Sequence, residues 1–316
     1  MPKLKSPRRG SLQFYPRCRA AKFLPSVNWS SVYPMAKETG LLGFITYKVG
    51  MGSSIVKDNT ENSMTKGKKI VIPTTILEVP NMKVFSVRFF KSGIPAKEVI
   101  VSNDKDLKRV LKVPKVLKSF ESEIPKDYDD IKVIVHSIPS QTSIKDTPDL
   151  IELGISAPNK LDFVKTIINR ELTLKDFIKT SLVDVRSLTR GKGLSGPVKR
   201  FGVGLRQHKS EKGVRNPGTL GPWHPARVMF VTPLAGQLGM FSRVHYNHNI
   251  LFSSSIKDKD INPSSGFRHY GKILSNYILV TGSVAGPQKR AVLLTLAFRP
   301  SKPTKKKKYE FQEIVV

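Results

Sequence analysis

The chain has 316 residues, with 54 lysines and arginines against 24 acids and a formal charge of +30. A single cysteine excludes a disulfide framework and a thiolate metal cluster, and no run of about 18 apolar residues is present to span a membrane. With 39% hydrophobic residues, the expectation is a real core plus basic segments that lie outside it.

The first thirty residues carry Lys3, Lys5, Arg8, Arg9, Arg17, Arg19 and Lys22 and no acid. No apolar stretch follows them, so they do not read as a secretory signal, and a reducing cytoplasm is the expected setting. Phe14, Tyr15, Phe23 and Trp29 interleave with these cations, a pattern suited to an arm threading through folded RNA, here bounded at 1–38. Residues 39–316 are then the folded domain. Within it, β-branched content and period-2 alternation predict strands at 42–49, 69–79, 84–90, 131–136, 182–188, 273–280 and 291–298. Apolar residues at helical spacing predict helices at 105–111 and 160–169, and a short one at 173–178 with Thr173 and Asp176 as its capping pair.

Charge is partitioned along the chain. Residues 84–181 hold 17 basic and 14 acidic residues, an ordinary mixed-charge α+β insertion. Early and late strands flank it, and a sheet closing on itself from both ends is the economical arrangement. The expected fold class is mainly β with α+β insertions, a β-barrel carrying long basic extensions.

The second extension is a basic loop at about 190–248. The segment 185–249 holds eleven basic residues and one acid, Glu211, with little apolar periodicity between Gly196 and Pro225. Its many glycines and prolines can follow an irregular surface once a polyanion neutralises the charge, and nucleic-acid phosphate is the commonest polyanion. Arg190, Lys192, Lys199, Arg200, Arg206, His208, Lys209, Lys212, Arg215, His224, Arg227 and Arg243 are the expected RNA-facing residues of this segment, with Trp223 in Gly221-Pro222-Trp223-His224-Pro225. Prolines stiffen that turn, and few apolar neighbours surround the tryptophan. It suits stacking on a base or bracing a loop tip rather than packing back on the barrel. The lysine run 305–308 suits further phosphate contacts or a solvated tail.

Enzymatic and metal readings fare worse. Gly191-Lys192-Gly193-Leu194-Ser195-Gly196 matches a dinucleotide fingerprint literally, yet Pro197 and the glycines after it are poor helix openers, and no acid follows about twenty positions on. His224, His245 and His248 lack nearby cysteines or acids to complete a metal shell. Cys18 lies between Arg17 and Arg19, with no histidine close in sequence to activate it. No cofactor, metal or catalytic group is expected.

The motifs together resemble a known family. They are Ser6-Pro7-Arg8-Arg9-Gly10-Ser11-Leu12, Val183-Asp184-Val185 leading into Gly191–Gly196, Gly221-Pro222-Trp223-His224-Pro225-Ala226-Arg227-Val228, and Ala235-Gly236-Gln237-Leu238-Gly239. The chain resembles, over nearly its whole length, the universal large-subunit ribosomal protein number three in its archaeal and eukaryotic form. The resemblance implies a non-enzymatic protein of the large ribosomal subunit that binds large-subunit rRNA, joins assembly early, lies among neighbouring ribosomal proteins and is not a homo-oligomer. It implies a translation-type β-barrel, with an arm and a long loop reaching toward the peptidyl transferase region. Trp223 would stand at the loop tip and influence aminoacyl-tRNA accommodation, and Gln237 would lie in the return stretch. The bacterial branch lacks the Trp-His-Pro tip and most of the 84–181 insertion, so nothing from that branch carries over to these residues. A free-standing RNA chaperone and an RNA-modifying enzyme are the competing readings, and the second needs an acid, metal or cofactor loop that the sequence does not offer.

Overall fold

The computed structural model describes residues 11–177, 180–209 and 212–315. Two compact units divide the chain. The larger comprises residues 23–187 and 243–316, and the smaller comprises residues 1–22 and 188–242. In chain order the first elements are β1 (Gly40–Leu41), β2 (Gly43–Asp58), β3 (Lys69–Val79), β4 (Met82–Lys91), β5 (Ile94–Ile100), β6 (Asp130–Ser137), β7 (Leu150–Ser156), α1 (Lys160–Ile167) and β8 (Leu182–Leu188). There follow β9 (Leu194–Ser195), α2 (Pro197–Phe201), β10 (Gly236–Gln237), β11 (Ser242–Ser255), β12 (Asn276–Thr281), β13 (Ala291–Leu296), α3 (Lys302–Lys306) and β14 (Tyr309–Val315). The chain is mainly β.

In the larger unit, seven strands run in the order β13-β8-β11-β12-β3-β2-β14, and β13 also pairs with β2, so the hydrogen-bonded order returns to its start. The sixteen-residue β2 makes this possible by serving two partners in turn. Gly43 to Tyr47 face β13, and Ser53 to Asp58 face β14. A register shift between Lys48 and Gly50 bends the strand between these halves, where a residue without a side chain is easily accommodated. At Gly52 a Cβ would stand 2.7 Å from the Val315 carbonyl, so only glycine lets β14 approach this closely.

A second, five-stranded antiparallel sheet runs β1-β7-β6-β4-β5 and contains most of the expected insertion. The strands alternate as their β-branched sequences dictate: Ile131, Val133 and Val135 of β6 are buried, and Lys132 and Ile134 are only partly so. One core joins the two sheets, with Phe44, Ile45, Leu77 and Leu294 packed in the same cluster as Val87, Phe89, Val133 and Leu153. A second cluster around Val49, Ile76, Tyr277 and Phe267 fills the other end of the seven-stranded sheet. The carboxylate of Glu78 is fully buried there. It accepts the Tyr270 hydroxyl, the backbone N–H groups of Leu274 (2.9 Å) and Ser275 (3.0 Å) and the Ser275 hydroxyl, so its burial is compensated.

Several expectations need correction. Trp29, read as part of an RNA-threading arm, is core: it is 2% exposed, and its indole N–H donates to the Glu152 carbonyl at 3.1 Å. A Cβ on Gly43 would lie 3.0 Å, and one on Gly154 3.1 Å, from its ring, so two glycines make its pocket. Leu24 and Val32 are buried as well, and the chain enters the core well before residue 38. The predicted helix at 105–111 is a 3-10 segment, Lys105–Arg109. The turn Leu174–Asp176 has the expected capping box of Thr173 and Asp176, while the end of the predicted 173–178 helix lies outside the described residues. Seven strands were not anticipated: the longer β5, β7, β11 and β14, and the two-residue β1, β9 and β10.

Candidate nucleic-acid interface

The smaller unit carries sixteen lysines and arginines against one acid, Glu211, which lies outside the described residues. Among the described residues every ion pair falls in the larger unit.

Backbone bonds give this charge a scaffold. Thr189 N–H donates to Phe241 (3.0 Å), Lys192 N–H to Leu238 (2.9 Å) and Leu238 N–H to Gly193 (2.9 Å), and β9 then pairs with β10 through Ser195 opposite Gly236. The glycines of the fingerprint-like motif therefore form one limb of a two-limbed loop. At Gly239, with φ +80°, a Cβ would lie 2.0 Å from the Arg190 carbonyl, so the limbs approach only because no side chain intervenes. Beyond them Pro197 opens α2, contrary to the expectation that it would not. It occupies the first helical turn, where its missing N–H costs nothing, and Gly202 at φ +69° ends the helix.

Arg200 on α2 joins the limbs. Its Nε donates to the Gln237 carbonyl (3.1 Å) and its Nη1 to the Leu234 carbonyl (3.0 Å). Arg17 donates in turn to the Arg200 carbonyl (3.3 Å), and its guanidinium lies 4.6 Å from the centre of the Phe201 ring and 5.2 Å from that of Tyr15. Burial, then the neighbouring Arg17 charge, pushes the Arg200 guanidinium below its ordinary value. The Gln237 amide donates to the carbonyls of Leu238 (3.3 Å) and Gly239 (3.1 Å), holding the return limb.

The remaining expected residues fall into three groups. Arg19, Lys22, Arg190, Lys192, Lys199, His208, Lys209, Lys212, Arg215, His224 and Arg227 are exposed in the smaller unit, and Arg206 is half-buried there. Arg243 is half-buried on β11 in the larger unit. Lys3, Lys5, Arg8 and Arg9 lie outside the described residues. His245 and His248, also on β11, stack on one another at 6.0 Å, and no group of three metal-ligating side chains occurs among the described residues.

At the far end of the loop, residues 221–230 are all exposed. Trp223 is 87% exposed, with Phe230 at 65% and Val228 at 49%. The Thr232 hydroxyl donates to the Leu220 carbonyl (3.2 Å) and closes the neck of this tip. A tryptophan left this open contributes nothing to a core of its own.

Sequence reasoning picked out the cations but not the division of labour among them. Arg17 and Arg200 differ from their neighbours by bonding backbone carbonyls, and the only sequence sign of that is Gly236, whose missing side chain leaves room for the guanidinium.

The family model described as Ribosomal protein L3 matches residues 1–315. The chain belongs to the ribosomal protein L3 family. Similar curated proteins bear the name large ribosomal subunit protein uL3. That of Methanococcus vannielii is 38% identical over 93% of this chain and 92% of its own length. That of Methanocaldococcus jannaschii is 38% identical over 94% and 92%, and that of Picrophilus torridus 37% over 94% and 92%. Members of the L3 family are structural components rather than enzymes, which removes the RNA-modifying alternative. No described helix of this member is long and apolar enough to cross a membrane.

Proposed function

We propose that this chain is a structural constituent of the large ribosomal subunit, in the cytoplasm, that binds large-subunit rRNA and nucleates early assembly. The unneutralised charge of the smaller unit carries the reading: sixteen cations with a single acid form a surface that is favourable only beside a polyanion. Lysine and arginine contacts with phosphate displace condensed counterions and supply affinity, while the fold of the RNA supplies the register. Each expected site residue has its part here. Lys3, Lys5, Arg8, Arg9, Arg19 and Lys22 on the arm, with the exposed cations of the loop, His208 and the half-buried Arg206 and Arg243, contact phosphate. Trp223 and His224 meet RNA at the tip, directed toward the peptidyl transferase region. Gln237, Arg17 and Arg200 keep the limbs in place.

The seven strands with their returning order are read as a translation-type β-barrel, with neighbouring ribosomal proteins and rRNA around it and no second copy of the chain. The test is sedimentation of a native lysate on sucrose gradients at rising salt, with a nuclease-treated control. One-to-one comigration with large-subunit rRNA that collapses on nuclease treatment supports the reading. A substoichiometric pool near the top of the gradient overturns it in favour of an RNA chaperone that cycles on and off.

A further inference from the structure

The larger unit holds a second concentration of cations that the loop reading leaves unused. Asn59 N–H donates to the Lys308 carbonyl (2.9 Å), Lys308 N–H donates to the Thr60 hydroxyl (3.0 Å), and the Asn59 amide donates to Glu310 (3.1 Å). These bonds tie the β2–β3 turn to the segment that enters β14. Lys57, Lys66, Lys68 and Lys69 are thereby gathered at the same end of the sheet as the lysine run 305–308. Lys57 and Lys69 are direct cross-strand partners, a like-charge pair on one face that is unfavourable when left alone.

The nearby acids do not balance this group. Asp58 is 4% exposed and turned inward, accepting the Thr60 N–H (2.9 Å) and the hydroxyls of Ser63 (2.7 Å) and Thr65 (2.6 Å). Glu310 stands opposite Lys57, and Glu61 reaches Lys308 at 3.7 Å with both side chains largely exposed. In the five-stranded sheet and its connections, residues 83–176, charges are instead paired closely. Arg88 meets Glu98 (2.7 Å) and Glu152 (3.1 Å), and Glu123 takes both Lys97 (2.7 Å) and Lys118 (3.1 Å). The contrast separates a self-neutralised sheet from a lysine face that is left open.

We infer that this end of the seven-stranded sheet is a second binding surface for the sugar–phosphate backbone of RNA, separate in sequence and composition from the loop. The inference rests on the reading of the chain as an rRNA-binding protein. Lysines are compact point charges without the bidentate fork of arginine, and neither segment 57–69 nor segment 302–310 contains an Arg or a Trp. The surface therefore takes phosphate in any sequence context and does not read bases.

The test uses the full chain and an RNA duplex of about 16 base pairs and arbitrary sequence, long enough to span successive grooves. Affinity is measured against salt for three variants: Lys305→Gln/Lys306→Gln/Lys307→Gln/Lys308→Gln, Lys66→Gln/Lys68→Gln, and the loop variant Lys209→Gln/Lys212→Gln/Arg215→Gln. Glutamine removes the charge while keeping an unbranched polar side chain of similar helix propensity, and thermal melting verifies that each variant folds. The expected result is a shallower logarithmic salt slope in both lysine-face variants, by roughly 0.7–0.9 for each phosphate no longer neutralised, with effects that add to those of the loop variant. An unchanged slope in both face variants, with a reduced slope in the loop variant, overturns the second surface and leaves the loop reading standing. Failure of the unmodified chain to bind the duplex overturns both. Phosphatidylserine vesicles form the other arm: loss of vesicle binding alone in the face variants overturns the RNA assignment in favour of an anionic lipid surface.

Discussion

The guanidinium carbon of Arg200 stands 2.8 Å from the point where a side chain on Gly236 would begin. Arg200 and Gly236 thus form one device: the first bridges to the return limb, and the second leaves the space in which it does so. Gly236→Ala is expected to displace Arg200 and break its bonds to Leu234 and Gln237. The loss should be about 1–3 kcal/mol of local stability, read as roughly ten- to hundredfold faster hydrogen exchange at the Lys192 and Leu238 amides. Arg200→Lys should give most of the same effect while keeping the charge, because the shorter lysine lacks the Nε and Nη1 donors that the planar guanidinium holds in a fixed fork toward Gln237 and Leu234. Wild-type exchange in both variants would show that the limbs hold without this bridge.

Trp29 is expected to act only on stability. Its ring fills a pocket lined by Gly43 and Gly154, so Trp29→Ala opens a large cavity that backbone alone cannot close. A loss of about 3–5 kcal/mol in denaturant unfolding is the expected outcome. A loss below about 1 kcal/mol would mean that the pocket collapses around the smaller side chain.

Trp223 should behave oppositely. At 87% exposure, Trp223→Ala should change unfolding by no more than about 0.5 kcal/mol. Ribosomes carrying it are expected to assemble normally and to accommodate aminoacyl-tRNA more slowly, as measured by pre-steady-state kinetics. Unaltered accommodation would remove the proposed role of the tip.

The β2–β3 turn should be acid-sensitive. Bonds from Thr60, Thr65 and Ser63 hold the Asp58 carboxyl well below its ordinary value of 3.8. A depressed value means that the folded state favours the ionised form, so the stabilisation is present above 3.8 and is lost as pH falls below it. Hydrogen exchange over residues 59–68, corrected for its intrinsic rate, should accelerate in that acid range. In Asp58→Asn it should be fast at every pH, and an acid response persisting in that variant would assign the effect to another group.

The legible parts of the fold were those where burial and propensity coincide. The runs of β3 and β8 could be read to the residue because their β-branched and aliphatic residues are continuous and largely buried, with β3 alternating only in its first half. By contrast β11 opens with Arg243, His245, Asn247, His248 and Asn249 among its first eight residues, so its polar first half hides the strand that its neighbours complete by hydrogen bonds. β14 was hidden behind the lysines before it and by Glu310 and Glu313 within it. Pro197 misled because a breaker inside a helix is an acceptable opener at its first turn. Trp29 misled because thirty basic, aromatic-rich residues looked uniform, whereas the two glycines that receive its ring lie distant in sequence. The basic residues of the loop were plain from composition alone. Their sorting into outward cations and an internal brace depends on limb geometry that no local pattern encodes.

The divided pairing of β2 has a consequence for biosynthesis. A strand made within the first sixty residues waits for partners at 291–296 and 309–315, so neither half of it can be fully hydrogen-bonded until almost all of the chain has been synthesised. Closing contacts of such sequence separation is slow, and the unpaired edges of a nascent β2 invite association with other chains in the meantime. A newly made molecule therefore spends its whole translation with an open sheet and an excess of positive charge. These are the two properties that most call for an escort until the chain is released.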